Sequence, residues 1–134
     1  MIDEGQQQTQ PVQGSESFSP TTFDLSSAME TVMESEELFQ KIAAMLIESC
    51  PGYIVRIKDA VAGNDSGALE REAHGLKGAV GNFAADVAYE AAYDLEKLGR
   101  TGEMATAEIG LSNLESALEE LISEMKIVLR GMNK

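Results

Sequence analysis

Apolar residues recur along most of this chain at alternating spacings of three and four, which is the period of an amphipathic helix. Four long segments show this pattern, and no segment alternates strictly between apolar and polar residues as a half-buried strand would. The last two of these segments carry Ala84, Ala88, Ala91, Leu95 and Leu98, and then Ala107, Leu111, Leu114, Leu118, Leu121, Met125, Val128 and Met132. Because short turns force neighbouring helices to alternate in direction, the pattern predicts an all-α fold, an antiparallel four-helix bundle.

Capping residues predict where the helices begin. Asp24 is the expected N-cap of a short additional helix, which precedes the bundle and lies across one of its ends. Ser35 is the expected N-cap of the first long helix. Pro51 interrupts the latter, so we expect a kinked helix, with a break as the alternative. Residues 63–67 form a turn in which Asp65 or Ser66 caps the next helix, and a further turn is expected at Gly99 to Gly102.

The N-terminal segment differs in composition from the rest. Residues 1–20 are rich in Gln, Ser, Gly and Pro, so they are expected to form a disordered tail or linker. Residues 21–134 then make up a single bundle domain.

Charge and cysteine content narrow the possible functions. With 10 basic and 23 acidic residues the net charge is −13, which disfavours nucleic acid and anionic membranes as partners. One cysteine, Cys50, and one histidine, His74, are too few for a structural zinc site, so we expect no metal. Neither a signal peptide nor a membrane span is evident, and the sequence predicts a cytoplasmic protein.

The third long segment contains an anomaly around His74. Its apolar residues, Leu69, Ala73, Leu76, Val80 and Phe83, predict a helix, yet Gly75, Gly78 and Gly81 fall inside it. Each glycine costs a helix interior about 1 kcal/mol relative to alanine. Glycine on a helix surface lets another molecule approach closely, so we interpret the outward face of this helix as a docking surface.

Simpler explanations exist for the single residues. A lone histidine on a helix is usually an ordinary surface residue, and Gly81 with Asn82 could be a C-cap. Packing, capping and solubility do not together explain a surface His followed by Lys at three and Gly at four positions. The combination therefore favours a functional site.

The run EAHGLKGAVGNF, residues 72–83, resembles the signature segment of histidine-phosphotransfer (HPt) domains, as do Leu95–Glu96 and Gly99–Arg100 downstream. The resemblance extends from about Phe23 to the C-terminus. Two positions depart from the family pattern: Ala79 replaces a small polar residue, and Ala84 replaces a glycine, which puts the start of the fourth helix in question.

The resemblance implies that His74 accepts a phosphoryl group from a receiver-domain aspartate and passes it to another receiver. Neutral imidazole is a competent nucleophile near physiological pH. We expect Lys77, Gly78, Arg71, Gly75 and Gly81 to contact the phosphoryl group or the partner, with solvated surface charges as the alternative for Lys77 and Arg71. Glu96 is the possible imidazole orienter, with a surface salt bridge to Lys97 or Arg100 as its alternative role.

By the same resemblance the chain is a monomeric phosphoryl carrier without catalytic activity or a cofactor of its own, and magnesium is expected in the partner receiver. Its partners would be response regulator receiver domains or a hybrid histidine kinase. Three alternatives remain open: the phospho-accepting N-terminal domain of a chemotaxis-type kinase, a non-phosphorylated helical module that binds receivers, and a phosphohistidine phosphatase. The last would need an acid or base partner that no motif supplies.

Overall fold

The computed structural model describes residues 18–133, which form five helices and no strand. The helices are α1 (Leu25–Thr31), α2 (Glu36–Ala62), α3 (Ser66–Gly81), α4 (Asp86–Thr101) and α5 (Ala107–Met132). Helix α3 packs between α2 and α4, and α5 closes the ring by packing against both α4 and α2. The predicted four-helix bundle with a short additional N-terminal helix is confirmed.

The predicted helix starts are confirmed at three places. The side chains of Asp24, Ser35 and Asp65 each accept a hydrogen bond from the backbone three residues on, which satisfies a free N–H of the first turn. Pro51 lies inside α2 without ending it, so this segment is one helix.

The start of α4 differs from the prediction. Ala84 does not belong to the buried face of α4, because it lies in the preceding turn with a φ of 52°. This left-handed conformation favours glycine, which is the residue that the family pattern noted above has at this position. Within α4, Ala88 and Leu95 are buried as expected, but the residue buried between them is Ala92, and the expected Ala91 is only half-buried.

The predicted turn at Gly99 is also wrong. Gly99 is buried inside α4, and the helix ends at Thr101 before Gly102, which has a φ of 78° and forms the C-cap. Only a residue without a side chain fits at Gly99, since a Cβ there would lie 2.5 Å from the backbone nitrogen of Glu70. The backbones of α3 and α4 thus meet at this glycine.

Three phenylalanines fill the end of the bundle where α1 lies. The rings of Phe23, Phe39 and Phe83 pack with centroid separations of 5.8 to 6.4 Å. The amide of Asp24 donates to the carbonyl of Phe83, which ties α1 to the end of α3. These contacts place α1 at one end of the bundle, as expected.

The described part of the chain before α1 packs against the bundle. Phe18 is partly buried against the core. Thr21 and Thr22 donate four hydrogen bonds to the Glu124 carboxylate of α5, at 2.7 to 3.0 Å. Residues 1–17, most of the predicted tail, lie outside the described residues. No helix in residues 18–133 has the length and apolar character needed to cross a membrane.

Candidate functional site

His74 projects from the outward side of α3. The buried residues Ala73, Leu76 and Val80 fix the rotation of this helix against the core, and His74 follows directly after the first of them. Its side chain is 68% exposed. A partner can therefore reach the imidazole ring without any rearrangement of the bundle.

Glu96 of α4 is the centre of the polar network beneath His74. Its side chain is only 4% exposed, and its Oε2 lies 3.1 Å from Nδ1 of His74. The same oxygen accepts a hydrogen bond of 2.6 Å from Nη2 of Arg100. Nζ of Lys77 lies 2.8 Å from Oε1. The two groups form an ion pair, but their relative orientation does not allow a hydrogen bond. One buried carboxylate thus joins the imidazole and two cations.

These contacts determine the charge of Glu96. Burial alone would raise the pKa of its carboxyl group, but the Lys77 ammonium and the hydrogen bond with His74 outweigh burial and hold the pKa below its usual value. The pKa of Lys77 is raised in turn, chiefly by Glu96. The carboxylate is therefore ionised at neutral pH. Both alternatives for Glu96 hold in part, because it contacts the imidazole and also pairs with Arg100, whereas Lys97 pairs with Asp94.

Arg100 connects the network to α3. Its Nε donates to Glu70 at 3.2 Å while its Nη2 binds Glu96, and its pKa is raised, chiefly by Glu70. The spacing of four residues between Glu96 and Arg100 could have revealed this pair from the sequence. Arg100 was expected only as a salt-bridge alternative, and the structure makes it part of the site.

Lys77 lies in a different place from the one that the helix pattern indicates. Its ammonium does not share the outward face with His74, because its side chain turns towards α4 and is only 17% exposed. There it lies over the rings of Tyr93 and Tyr89, at 4.8 Å and 5.8 Å from their centroids. The role of Lys77 towards a phosphoryl group stays a prediction.

The three glycines that follow His74 in α3 have three different surroundings. A Cβ at Gly78 would meet nothing within 4 Å. A Cβ at Gly75 would lie 3.1 Å from the ring of Tyr53 in α2, and one at Gly81 would lie 3.5 Å from the ring of Tyr89. Gly75 therefore faces a neighbouring helix instead of solvent, and Gly78 is the glycine that leaves open space beside His74.

A cleft of about 540 Å³ opens beside the imidazole between α3 and α4. It is lined by Gly67, Glu70, Arg71, His74, Glu96 and Arg100. Within residues 18–133 Arg71 forms no salt bridge. Both carboxylates of the cleft, Glu70 and Glu96, are paired with Arg100. Among residues 18–133, Arg71 is thus the arginine of the cleft that forms no salt bridge.

Comparison with known proteins identifies the family of the chain. The family model described as Hpt domain matches residues 41–124, and the chain belongs to this family. It is similar in structure to histidine-containing phosphotransfer protein B (HptB) from Pseudomonas aeruginosa PAO1, with a TM-score of 0.75 and 19% identity, over 81% of this chain and 94% of that one. No curated protein gave a significant match. The function of the chain is histidine phosphotransfer in a phosphorelay.

Proposed function

We propose that His74 carries the phosphoryl group on Nε2, accepting it from the phosphorylated aspartate of one receiver domain and passing it to another. The observation that carries this proposal is the contact between Nδ1 of His74 and Oε2 of Glu96. An ionised carboxylate only accepts hydrogen bonds, so Nδ1 must carry the proton. The lone pair is then on Nε2, the nitrogen that does not bond to Glu96.

The transfer step follows from this tautomer. The Nε2 lone pair attacks phosphorus, a new N–P bond forms, and the P–O bond to the receiver aspartate breaks, so the aspartate leaves as a carboxylate. The imidazole becomes positively charged during the attack. Glu96, fixed against Nδ1–H, stabilises that charge, and the return transfer reverses the same steps.

The surrounding cations prevent the buried carboxylate from repelling the phosphoryl group. Lys77 and Arg100 each contact Glu96, so the negative charge beneath the imidazole is neutralised before the partner arrives. Arg71, exposed in the cleft and free of acidic partners among the described residues, is the side chain available to the phosphoryl oxygens. Gly78 gives the partner room to approach.

We propose further that the chain is a carrier without hydrolytic activity. Activation of a water molecule would need a free base beside His74, and both carboxylates of the cleft are paired with Arg100. Magnesium, which neutralises the phosphoryl group in transfer, is supplied by the receiver in this proposal. The chain acts as a cytoplasmic monomer, a proposal that the free thiol of Cys50 and the net charge of −13 support.

A phosphotransfer profile tests the proposal. The chain is mixed with radiolabelled, phosphorylated receiver domains, and the acid-labile label that appears on it is followed over seconds to minutes. We expect rapid labelling of the parent protein from one or a few receivers and no labelling of the His74→Gln variant. Glu96→Gln should be labelled more slowly than the parent, because it removes the charge that contacts Nδ1 of His74. Glu70→Gln is the matched control and should be labelled at the parent's rate, because Glu70 also binds Arg100 but forms no hydrogen bond with the imidazole. Persistent labelling of His74→Gln would refute the proposal.

A further inference from the structure

The ammonium group of Lys77 is enclosed by α4 on several sides. It faces the carboxylate of Glu96 at 2.8 Å and lies over the Tyr93 ring at 4.8 Å and the Tyr89 ring at 5.8 Å. The two rings stand 6.5 Å apart with a tilt of 47° between their planes. Three groups of α4 thus surround this ammonium, and the Lys77 side chain is only 17% exposed.

The aromatic rings replace the water that the ammonium loses. The face of a tyrosine ring is negative, so a cation over it is attracted electrostatically, and more strongly when both are shielded from solvent. Tyr93 is the nearer ring, and it also lies 4.6 Å from the ammonium of Lys97. Tyr89 is farther away and instead fills the space beside Gly81.

We propose that Tyr93 is a positioning residue for phosphotransfer, which holds the Lys77 ammonium against Glu96 so that Glu96 keeps Oε2 directed at His74. The inference rests on the proposed function of His74. Tyr93 does not touch the reacting atoms, and it acts through Lys77 and Glu96. If the ring loses its attraction for the cation, Lys77 is released into solvent, Glu96 loses one of its two cations, and the imidazole is less firmly oriented.

Fluorination of the ring tests this proposal with little change in the shape of the side chain. Tyr93→Phe is compared with variants that carry mono-, di- and trifluorinated phenylalanine at position 93, because each fluorine weakens the negative face of the ring. Phosphoramidate serves as the donor: Nε2 attacks its phosphorus, the P–N bond breaks and ammonia leaves, so no receiver is needed. We expect the rate of His74 phosphorylation to fall stepwise, by about three- to tenfold over the series. The melting temperature should stay constant.

The control series places the same residues at position 53. Tyr53 carries a comparable cation, with Arg56 at 5.0 Å from its centroid, but neither group contacts Glu96. This series should leave the rate unchanged. In a Lys77→Gln background the phosphorylation rate should no longer change along the series at position 93, because the ammonium that the ring attracts is absent.

The outcomes separate this inference from the function on which it rests. If neither phosphoramidate nor any phosphorylated receiver labels His74 in the parent protein, the proposed function fails; if only a receiver does so, that receiver replaces phosphoramidate as the donor for the series. If the parent is labelled but the rate is constant or rises along the series at position 93, the positioning role of Tyr93 is refuted. An equal fall in the position-53 series would refute it as well, since the effect would not depend on Lys77.

Discussion

Gly99 of α4 and Glu70 of α3 are in backbone contact: a Cβ at position 99 would lie 2.5 Å from the Glu70 nitrogen and 2.8 Å from its Cα. On either side of this contact Arg100 bonds to Glu70, and Glu96 bonds to His74. The distance between the two helices therefore determines whether Glu96 reaches the imidazole. In physical terms Gly99 is a structural residue of the site.

The first prediction concerns Gly99→Ala. The added methyl group meets backbone atoms that cannot rotate away, so the helices must separate, and we expect a loss of about 1 to 3 kcal/mol in the free energy of unfolding. This is the net loss, which remains after the gain of about 1 kcal/mol from helix propensity has been subtracted from the cost of the steric strain. Urea denaturation measures it. A variant as stable as the parent would contradict the close approach of α3 and α4.

The second prediction concerns Gly78, where a Cβ meets nothing. Gly78→Ala should raise stability by about 0.5 to 1 kcal/mol through helix propensity. Transfer from a receiver should fall, modestly for Ala and severely for Leu, because atoms beside His74 hold the partner beyond attack distance. Phosphorylation by phosphoramidate should persist in both variants. If Gly78→Leu melted higher and accepted phosphate from a receiver as fast as the parent, the partner would dock elsewhere.

The third prediction uses the strained turn before α4. Ala84 adopts a φ of 52°, which costs a residue with a Cβ about 1 kcal/mol. Ala84→Gly should therefore stabilise the protein by about 0.5 to 1 kcal/mol in thermal or urea unfolding. Ala44→Gly, at an exposed position inside α2, is the control and should destabilise it by about 1 kcal/mol. Loss of stability in both variants would show that the turn carries no strain.

The fourth prediction concerns pH. Because the pKa of Glu96 is lower in the folded protein than the usual 4.5, the unfolded chain binds more protons as the solution becomes acidic. The stabilisation is complete above about pH 4.5 and is lost as the pH falls through the lower, folded value. Glu96→Gln should be less stable than the parent at pH 7, and the difference should shrink as the pH falls below about 4.5.

Urea titrations at pH 7, 5, 4 and 3 measure that difference. Among residues 18–133, the other carboxylate with a lowered pKa is that of Glu124, which is present in both proteins, so its contribution cancels. A difference between parent and variant that is the same at every pH would mean that ionisation of Glu96 does not stabilise the fold.

The periodicity of apolar residues correctly predicted the features of α3 that depend on burial alone. Leu69, Ala73, Leu76 and Val80 are all buried as expected, and this fixed the exposure of His74. The surroundings of the glycines could not be predicted in this way. Gly75, Gly78, Gly81 and Gly99 look alike in sequence, yet their surroundings range from open solvent to a neighbouring backbone.

Contacts between helices account for the difference between the predicted and the observed position of the Lys77 side chain. Lys77 occupies a position on α3 from which a lysine usually reaches solvent. Glu96 and Tyr93, which draw its ammonium inwards, belong to the next helix. A pattern along one helix contains no information on such a cross-helix contact, so the orienting role of Glu96 came only from family resemblance.

The nitrogen that carries phosphate is the most direct test of the central claim. The chain is labelled at its histidine nitrogens with ¹⁵N, phosphorylated by phosphoramidate or a receiver, and examined by ¹⁵N and ³¹P NMR. The contact of Nδ1 with Glu96 predicts a single phosphohistidine at His74 with phosphorus bonded to Nε2, and a proton retained on Nδ1. Phosphate on Nδ1, or on any residue of the His74→Gln variant, would contradict the account.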